Sequence, residues 1–458
     1  MSHQRLLVVH STLPAGPPRN RTHPRASGGR CNARRTLGGA FFAEEVCVMA
    51  RTTSPPRNQA SDTQAASARA VVRVRKLFAS ETPEYVVMVA MVLFLVIFGL
   101  VMVLSSSFVT ARQGDGNVLG VWARQGMWAM LGLPLMFILS TWRLQAWRAL
   151  APTLLLIGLI LQGLVVFTPL GVTSGGNTNW LSLGGLTGQP SEFLKLALIV
   201  WMAHILADRV EYIREPGALK APLLPGMAMA LVFVLLGQDL GTMGVMALIV
   251  LGVLFVAGVR LSILGGAVGL VAVVAAVAAL IAPYRMERVT VWLSGCTEEE
   301  FLYQCWQPMQ GTMALGSGGV LGVGLGNSRA KWSWLPEADT DYIFAVIGEE
   351  LGLVGTALVV ISFTVLAFAM VRLVRANQDP FARLVTAGVM MWVVGQALVN
   401  IAVVLEYLPV LGVPLPFISA GGSALLAALM GIGVVMSVNR HTRVDPVWEL
   451  GQRGATAR

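Results

Sequence analysis

This sequence predicts an all-α, polytopic membrane protein with about ten transmembrane helices and a large extracytoplasmic loop between helices 7 and 8. Three observations predict it. Of the 458 residues, 55% are hydrophobic and 12% charged, about half the ~25% charged fraction of soluble domains. Apolar runs of about 20 residues recur, the length that crosses ~30 Å of hydrocarbon at 1.5 Å per residue. Basic residues fall in every second connection between those runs, the pattern left when Lys and Arg are retained on the cytoplasmic side.

Val86 to Leu104 is uninterrupted, and further spans lie near 121–140, 150–169, 191–207, 221–236, 241–259, 261–282, 342–371, 382–405 and 415–437. Arg73, Arg75 and Lys76 precede the first span, and Arg143 and Arg148 follow the second. Arg209, Arg214 and Lys220 follow the fourth, Arg260 the sixth, Arg372, Arg375 and Arg383 the eighth, and Arg440 and Arg443 the tenth. Thr168 to Pro190 and Glu406 to Pro414 contain no Lys or Arg. Those connections therefore face outside, and both termini are expected in the cytoplasm.

The formal charge of +9 does not point to nucleic acid, because residues 1–84 hold thirteen basic and five acidic side chains and so carry +8 of it. That segment, rich in Arg, Pro, Ser and Ala, is expected as a disordered basic cytoplasmic tail near anionic headgroups. Residues 1–48 lack the features of a secretory signal and precede a more ordinary start at Met49, so they are open to reading as a start-site artefact. The membrane domain spans 85–440, and 441–458 form a second cytoplasmic tail.

One outer connection breaks the charge pattern. Residues 283–340 contain Arg285, Arg288, Arg329 and Lys331 with Glu287, Glu298, Glu299, Glu300, Glu337 and Asp339, and Asp341 follows at once. A connection this long is uncommon unless functional or disordered, and Trp292, Trp306, Trp332 and Trp334 favour order at the membrane interface. The chemistry is placed here. Its Gly-rich stretch 311–326 would let backbone N–H groups approach a phosphate, although Gly is also simply common in loops.

No GxxxxGK[ST] occurs, and His204 is the only histidine in the predicted membrane region, which argues against phosphate-loop ATP binding and a histidine metal site. Ser328 and Lys331 match S-x-x-K without its companion motifs, leaving Lys331 as a phosphate contact only. Glu192 and Lys195 share one face of the fourth span, Asp239 lies between the fifth and sixth, and Glu349 and Glu350 sit two turns into the eighth. Each is either a structural ion pair or part of a site. Asp341 opens the eighth span, where an acidic residue also complements the helix dipole. Cys296 and Cys305, nine apart in an oxidising compartment, are expected as a disulfide, whereas Cys31 and Cys47 lie in the cytoplasmic tail.

Four motifs in order along the chain make it resemble the SEDS family, polytopic peptidoglycan glycosyltransferases that include FtsW and RodA. Residues 334–345, WLPEADTDYIFA, with 347–352, IGEELG, resemble that family's LPEAHTDFIFA and GEELG. Residues 190–195, PSEFLK, resemble its P-x-E-x-x-K; 238–242, QDLGT, its QPDLGT; and 415–423, LPFISAGGS, its LPFISYGGS. Asp339 replaces the usual His, Gln238 stands where Pro is usual, Ala420 where Tyr is common, and Asn179 where an Arg often precedes the Trp. AKWSWLP, GQALVN and ISAGG are most similar to the actinobacterial, division-type branch.

The resemblance implies a lipid II polymerase of the bacterial cytoplasmic membrane, working at the septum beside a class B penicillin-binding transpeptidase and other division proteins. It implies Asp341 as the catalytic carboxylate. Glu192, Lys195, Asp239, Arg285, Arg288, Lys331, Glu337, Asp339, Glu349, Glu350, Ser419, Gly421 and Gly422 are the expected binding or supporting residues. No organic cofactor is expected; a divalent cation, Mg or Mn, at Asp341 is. A lipid II flippase and a non-catalytic division scaffold remain as rival classes.

Overall fold

The computed structural model describes residues 82–113, 120–174, 177–183, 186–209, 213, 223–295, 303, 305–332 and 334–440. Residues 1–81 of the first predicted tail, the whole of the second, Cys296 and Glu298 to Glu300 lie outside them, whereas Pro83 and Glu84, expected in the first tail, open α1. The described chain runs α1 (Pro83–Gln113), α2 (Gly120–Leu139), α3 (Leu144–Phe167), β1 (Gly171–Ser174), β2 (Asn177–Leu183), β3 (Leu186–Gly188) and α4 (Pro190–Ala207). It continues with α5 (Leu223–Leu236), α6 (Leu240–Ala257), α7 (Leu261–Ile281), α8 (Pro283–Ser294), α9 (Trp306–Gly318) and α10 (Ile343–Ala376). Last come α11 (Pro380–Met390), a π-helical turn (Met391–Gly395), α12 (Gln396–Val404) and α13 (Gly422–Arg440).

Among the described residues, eight helical runs are long and apolar enough to cross a membrane: α1, α3, α4, α6, α7, α10, the continuous α11 to α12 run, and α13. Two expected spans fall short of that measure. Arg124 and Gln125 dilute the apolar character of α2, and α5 has 14 residues, about 21 Å of helix against ~30 Å of hydrocarbon. Ten spans are counted only if both are included. The last span also starts later than expected, because residues 415–421 are not helical and lead into α13 at Gly422.

Local chemistry sets the element ends. Pro occupies the first turn of α4, α8 and α11, where its missing N–H costs nothing. The Asp239 and Asp379 side chains cap α6 and α11 by accepting from Thr242 N at 2.9 Å and Ala382 N at 3.0 Å. A break inside α10 falls at Gly352, whose φ of 65° leaves the helical region. Residues 319–324 lodge there: Val323 N donates to Glu349 O, Gly324 N to Glu350 O and Leu353 N to Gly319 O, all within 3.0 Å. Backbone groups freed at such depth need protein partners, and this segment provides them. A side chain at 352 would strike Val320 O.

Helix α10 packs on α1, α4 on α3, and α13 on α2, while α7 is almost wholly exposed. At one end of the bundle Arg148 pairs with Asp379 and Arg372 with Glu84, each at 3.1 Å, and the Arg440 guanidinium lies over the Tyr85 ring. Every basic member belongs to a connection or span end expected to be cytoplasmic. The opposite end carries an antiparallel meander, β1-β2-β3, paired Val172 with Trp180 and Ser182 with Thr187. The sequence reading treated it only as an outer connection. Among the described residues, the segment between α7 and α10 holds two helices, of which α8 is amphipathic.

Candidate active site at the meander end

Asp341 does not open α10 as expected but lies two residues before it, next to the N-cap Tyr342, and its surroundings fix its backbone rather than its carboxylate. Asn400 on α12 donates to Asp341 O at 2.7 Å and to Val413 O at 2.8 Å. Ser419 donates to Thr340 O at 2.6 Å, and Ala420 N donates to Asp339 O at 2.8 Å. The half-buried Asp341 carboxylate itself receives no hydrogen bond and no ion pair among the described residues. Burial, then the charges of Glu337, Asp239 and Asp339, push its pKa up to about 7 against a lowering pull from Arg288. Asp339 is also raised, chiefly by burial. Glu337 is exposed at φ 53° and accepts from Thr340 Oγ1 at 2.6 Å.

Asp239 lies within electrostatic reach of Asp341 but is saturated. Its Oδ2 accepts from Asn179 at 2.9 Å, Gln189 at 3.0 Å and Thr242 Oγ1 at 2.8 Å. Asn179 on β2 therefore meets the acidic side chain through a neutral amide. Thr178 N donates to Gly237 O at 3.0 Å, fixing the sheet to the α5–α6 turn.

The expected cations separate into three that are engaged and one that is not. Lys195, buried with Glu192, donates to it at 2.9 Å and to Gln396 at 3.1 Å, and lies 5.0 Å from the Trp392 ring centroid. Lys331 pairs with Glu350 at 2.9 Å and donates to Gly326 O at 2.6 Å. Arg285 binds the Tyr284 hydroxyl and Gln238 O. Arg288 has no hydrogen bond or ion pair among the described residues and lines a cavity of about 540 Å³ with Trp292, Met309, Thr312, Glu406 and Val410. That cavity lies between α8, α9 and the end of α12.

Lys331, expected as a phosphate contact, is thus held inside the protein, and the buried Glu349 is likewise occupied by Ser328 Oγ and the N–H groups of Arg329 and Ala330. Together Glu349, Glu350, Ser105 and Lys331 clamp residues 318–331 onto α10 and α1. Ser419, Gly421 and Gly422 join the last span to α2: Gln125 donates to Ser419 O and accepts from Gly421 N, both at 3.1 Å, and a side chain at 422 would strike Trp128. Glu192, Trp392, Gln396, Ser419 and Gly421 surround a void of about 10 Å³, close to the room one water needs. Cys305 is buried and disulfide-bonded; its expected partner, Cys296, lies outside the described residues.

Sequence reasoning missed Gln189, Thr242, Tyr342 and Glu406, and used Gln396 and Asn400 only as letters of GQALVN. Polarity inside an apolar run was the signal available for the last two, since an amide at such depth must find partners.

Residues 85–444 match the model of a family described as cell cycle protein, FTSW_RODA_SPOVE. The chain is 35% identical to the probable peptidoglycan glycosyltransferase FtsW of Mycobacterium tuberculosis over 395 residues, 85% of this chain and 75% of that one. It is 35% identical to stage V sporulation protein E of Bacillus subtilis over 363 residues, 79% and 99% of the two chains. Among solved structures, it resembles a chain of a peptidoglycan synthase complex described as coordinating polymerization and crosslinking, with a TM-score of 0.64 and 28% identity over 78% of this chain and 98% of that one. The rod shape determining protein RodA of Thermus thermophilus gives a TM-score of 0.57 and 27% identity over 78% and 97%.

Proposed function

The chain belongs to the FtsW/RodA/SpoVE family of cell cycle proteins, and we propose that it polymerises lipid II into glycan strands at the outer face of the bacterial cytoplasmic membrane during division, releasing undecaprenyl diphosphate. The observation that carries this reading is Asp341. Its carboxylate has no partner among the described residues, and burial has brought its pKa to about 7, where it both ionises and accepts a proton under cellular conditions.

In the reaction, Asp341 takes the proton of the acceptor sugar's 4-hydroxyl as that oxygen attacks the donor's anomeric carbon. A β-1,4 C–O bond forms while the bond to the diphosphate breaks, and the leaving lipid diphosphate carries away the electron pair. Arg288, the unengaged cation beside the cavity, is placed to meet that negative charge. No three carboxylate, cysteine or histidine groups converge on a metal position among the described residues. One open carboxylate still fits a divalent ion of the kind held by one or two carboxylates plus substrate phosphates. Bound there, such an ion would neutralise developing charge on the leaving group.

Arg148, Arg372 and Arg440, at the bundle end opposite the meander, support cytoplasmic termini and an outward-facing site. The likeness to a chain of a synthase complex supports a class B penicillin-binding transpeptidase as partner. A flippase would use Glu192, Lys195 and Asp239 as a midplane substrate site, yet all three already have protein partners. A scaffold has no need of a desolvated, unpartnered carboxylate. Purified protein given labelled lipid II, alone and with its transpeptidase, tests the reading: glycan polymer supports it. Lipid transfer across vesicles without polymer would establish a transporter, and neither activity would leave a scaffold.

A further inference from the structure

Helix α12 ends on two local conflicts at one residue. Glu406 N donates to Val403 O at 3.0 Å and Tyr407 N to Ala402 O at 2.8 Å, the paired bonds of a Schellman ending, and Glu406 takes the left-handed position at φ 61° where glycine is usual. Its carboxylate also stands at a helix C-terminus, where the dipole disfavours negative charge. A glycine would remove both conflicts. Residues held against local preference in this way cluster at functional sites.

The surroundings of Glu406 give the conflict a use. The residue is exposed and lines the cavity that Arg288 also lines, and the two form no ion pair. Groups on two other helices aim it: Thr312 Oγ1 of α9 donates to its Oε1 at 2.6 Å, and Trp292 Nε1 of α8 donates to its backbone oxygen at 2.9 Å. Oε2 has no partner among the described residues. Trp292 is itself 40% exposed, so an indole, an unengaged carboxylate oxygen and an unengaged guanidinium share one cavity wall. That wall also approaches the base. Val410 lines the cavity, and two residues further on a Cβ at Gly412 would lie 3.5 Å from Asp341 Oδ2.

We propose that Glu406 is a substrate-binding residue whose Oε2 accepts a hydrogen bond from a hydroxyl of the sugar whose diphosphate meets Arg288. A wall with a free guanidinium and a free carboxylate oxygen suits a ligand that is anionic at one end and carries neutral donors at the other, which is the chemistry of a glycosyl diphosphate. A purely anionic ligand would be repelled by Glu406, and an apolar chain would cover both charges without giving either a partner. The Trp292 indole offers an apolar face to the sugar ring beside that bond. The bond forms in the ground state and persists as the anomeric carbon reacts, so its loss raises KM and leaves kcat. The identity of the ligand rests on the transferase reading.

The test is Glu406→Gly, which supplies the residue that the left-handed position favours, with Glu406→Gln as a second variant that keeps the length and an acceptor oxygen but not the charge. Three readouts are compared with wild type: thermal midpoint in detergent without substrate, thermal shift on adding lipid II, and KM against kcat for polymerisation. For Glu406→Gly the expected result is an unchanged or higher midpoint, a smaller lipid II shift, a KM about tenfold higher, near the lower end for a hydrogen bond to a charged group, and a kcat within about twofold. Glu406→Gln should fall between it and wild type in KM. An unchanged KM in Glu406→Gly overturns the proposal. So does a lowered midpoint with lost kcat, which would mean that the carboxylate serves to brace α9 on α12 through Thr312. If wild type yields no polymer, the transferase reading fails separately and the lipid II shift decides: a smaller shift in Glu406→Gly upholds the carboxylate as a ligand group, and an equal shift overturns it.

Discussion

Lys195 Nζ lies 2.9 Å from Glu192 Oε1 one helical turn away, with both side chains buried in α4. The same ammonium reaches Gln396 at 3.1 Å and the Trp392 ring, and Gln396 in turn donates to Pro414 O at 2.8 Å. The pair is therefore the centre of a bridge from α4 through the π-helical turn to the segment leading into the last span. Of the two readings open from sequence, a structural pair is the one its contacts support.

Removing one partner of a buried pair leaves an uncompensated charge, at a cost of about 3–5 kcal/mol. Lys195→Ala is expected to lower folded yield and thermal midpoint together with activity. The measurement is monodisperse protein recovered in detergent; normal recovery with lost polymerisation would return Lys195 to direct substrate contact.

The same logic separates Lys331 from substrate. Lys331→Met should strand Glu350, and Glu350→Gln should strand Lys331, each reducing recovery of folded protein. The double variant removes both charges and should recover much of the loss, since replacing a whole buried pair is often near neutral. If Lys331→Met folds normally and only its KM rises, the phosphate-contact expectation was right after all.

How much of this was legible in the sequence follows from which interactions are local. The spans were visible because apolar length is a property of contiguous residues, and Asp341 was visible because a motif fixed its place. Whether Lys195, Lys331 or Arg285 faced substrate was not visible, because their partners Gln396, Glu350 and Gln238 lie 19 to 201 residues away in the chain. The meander was missed because its strands, GVTS, NTNWLSL and LTG, are short and separated by Gly pairs. The described part of α5, 14 residues, is shorter than the apolar run that marked it as a span, because apolar composition reports a run of residues and not the length of the helix they form.

Asp239 offers a way to move the acidity of Asp341 without touching it. Asp239→Asn keeps an acceptor for Thr242 N and so retains the α6 cap, but removes a charge that holds the Asp341 proton. A general base works ionised, so the rate of wild type should rise with pH through about 7 and level off above it. In Asp239→Asn that rise should shift to lower pH. The check is kcat/KM from pH 5.5 to 8.5, spanning roughly the carboxylate's expected titration; an unmoved acid limb would mean that the limb belongs to another group.

Asp341→Asn is the sharpest prediction, since Asn keeps the size and acceptor oxygen but cannot take a proton. Nothing in the fold depends on the carboxylate's charge: Asn400 holds the Asp341 carbonyl, Ser419 holds Thr340, and no donor meets the acid itself. Expression and transpeptidase binding should be normal, with polymerisation reduced by at least ~100-fold, the lower range for general base catalysis. Stability should respond in a defined direction. With a folded pKa of about 7 against an ordinary 3.8, the native state binds more protons than the unfolded state between those values. Wild-type stability therefore falls as pH rises across that window and is flat in this respect above it. Asp341→Asn should lose that slope and be at least as stable as wild type at pH 8, measured by thermal midpoint in detergent. Glu337→Gln and Asp339→Asn serve as controls with milder losses, because each acts on the Asp341 proton only through its charge. Near wild-type polymerisation by Asp341→Asn, with loss in Asp339→Asn, would move the base by two residues; indifference of both would remove the carboxylate mechanism.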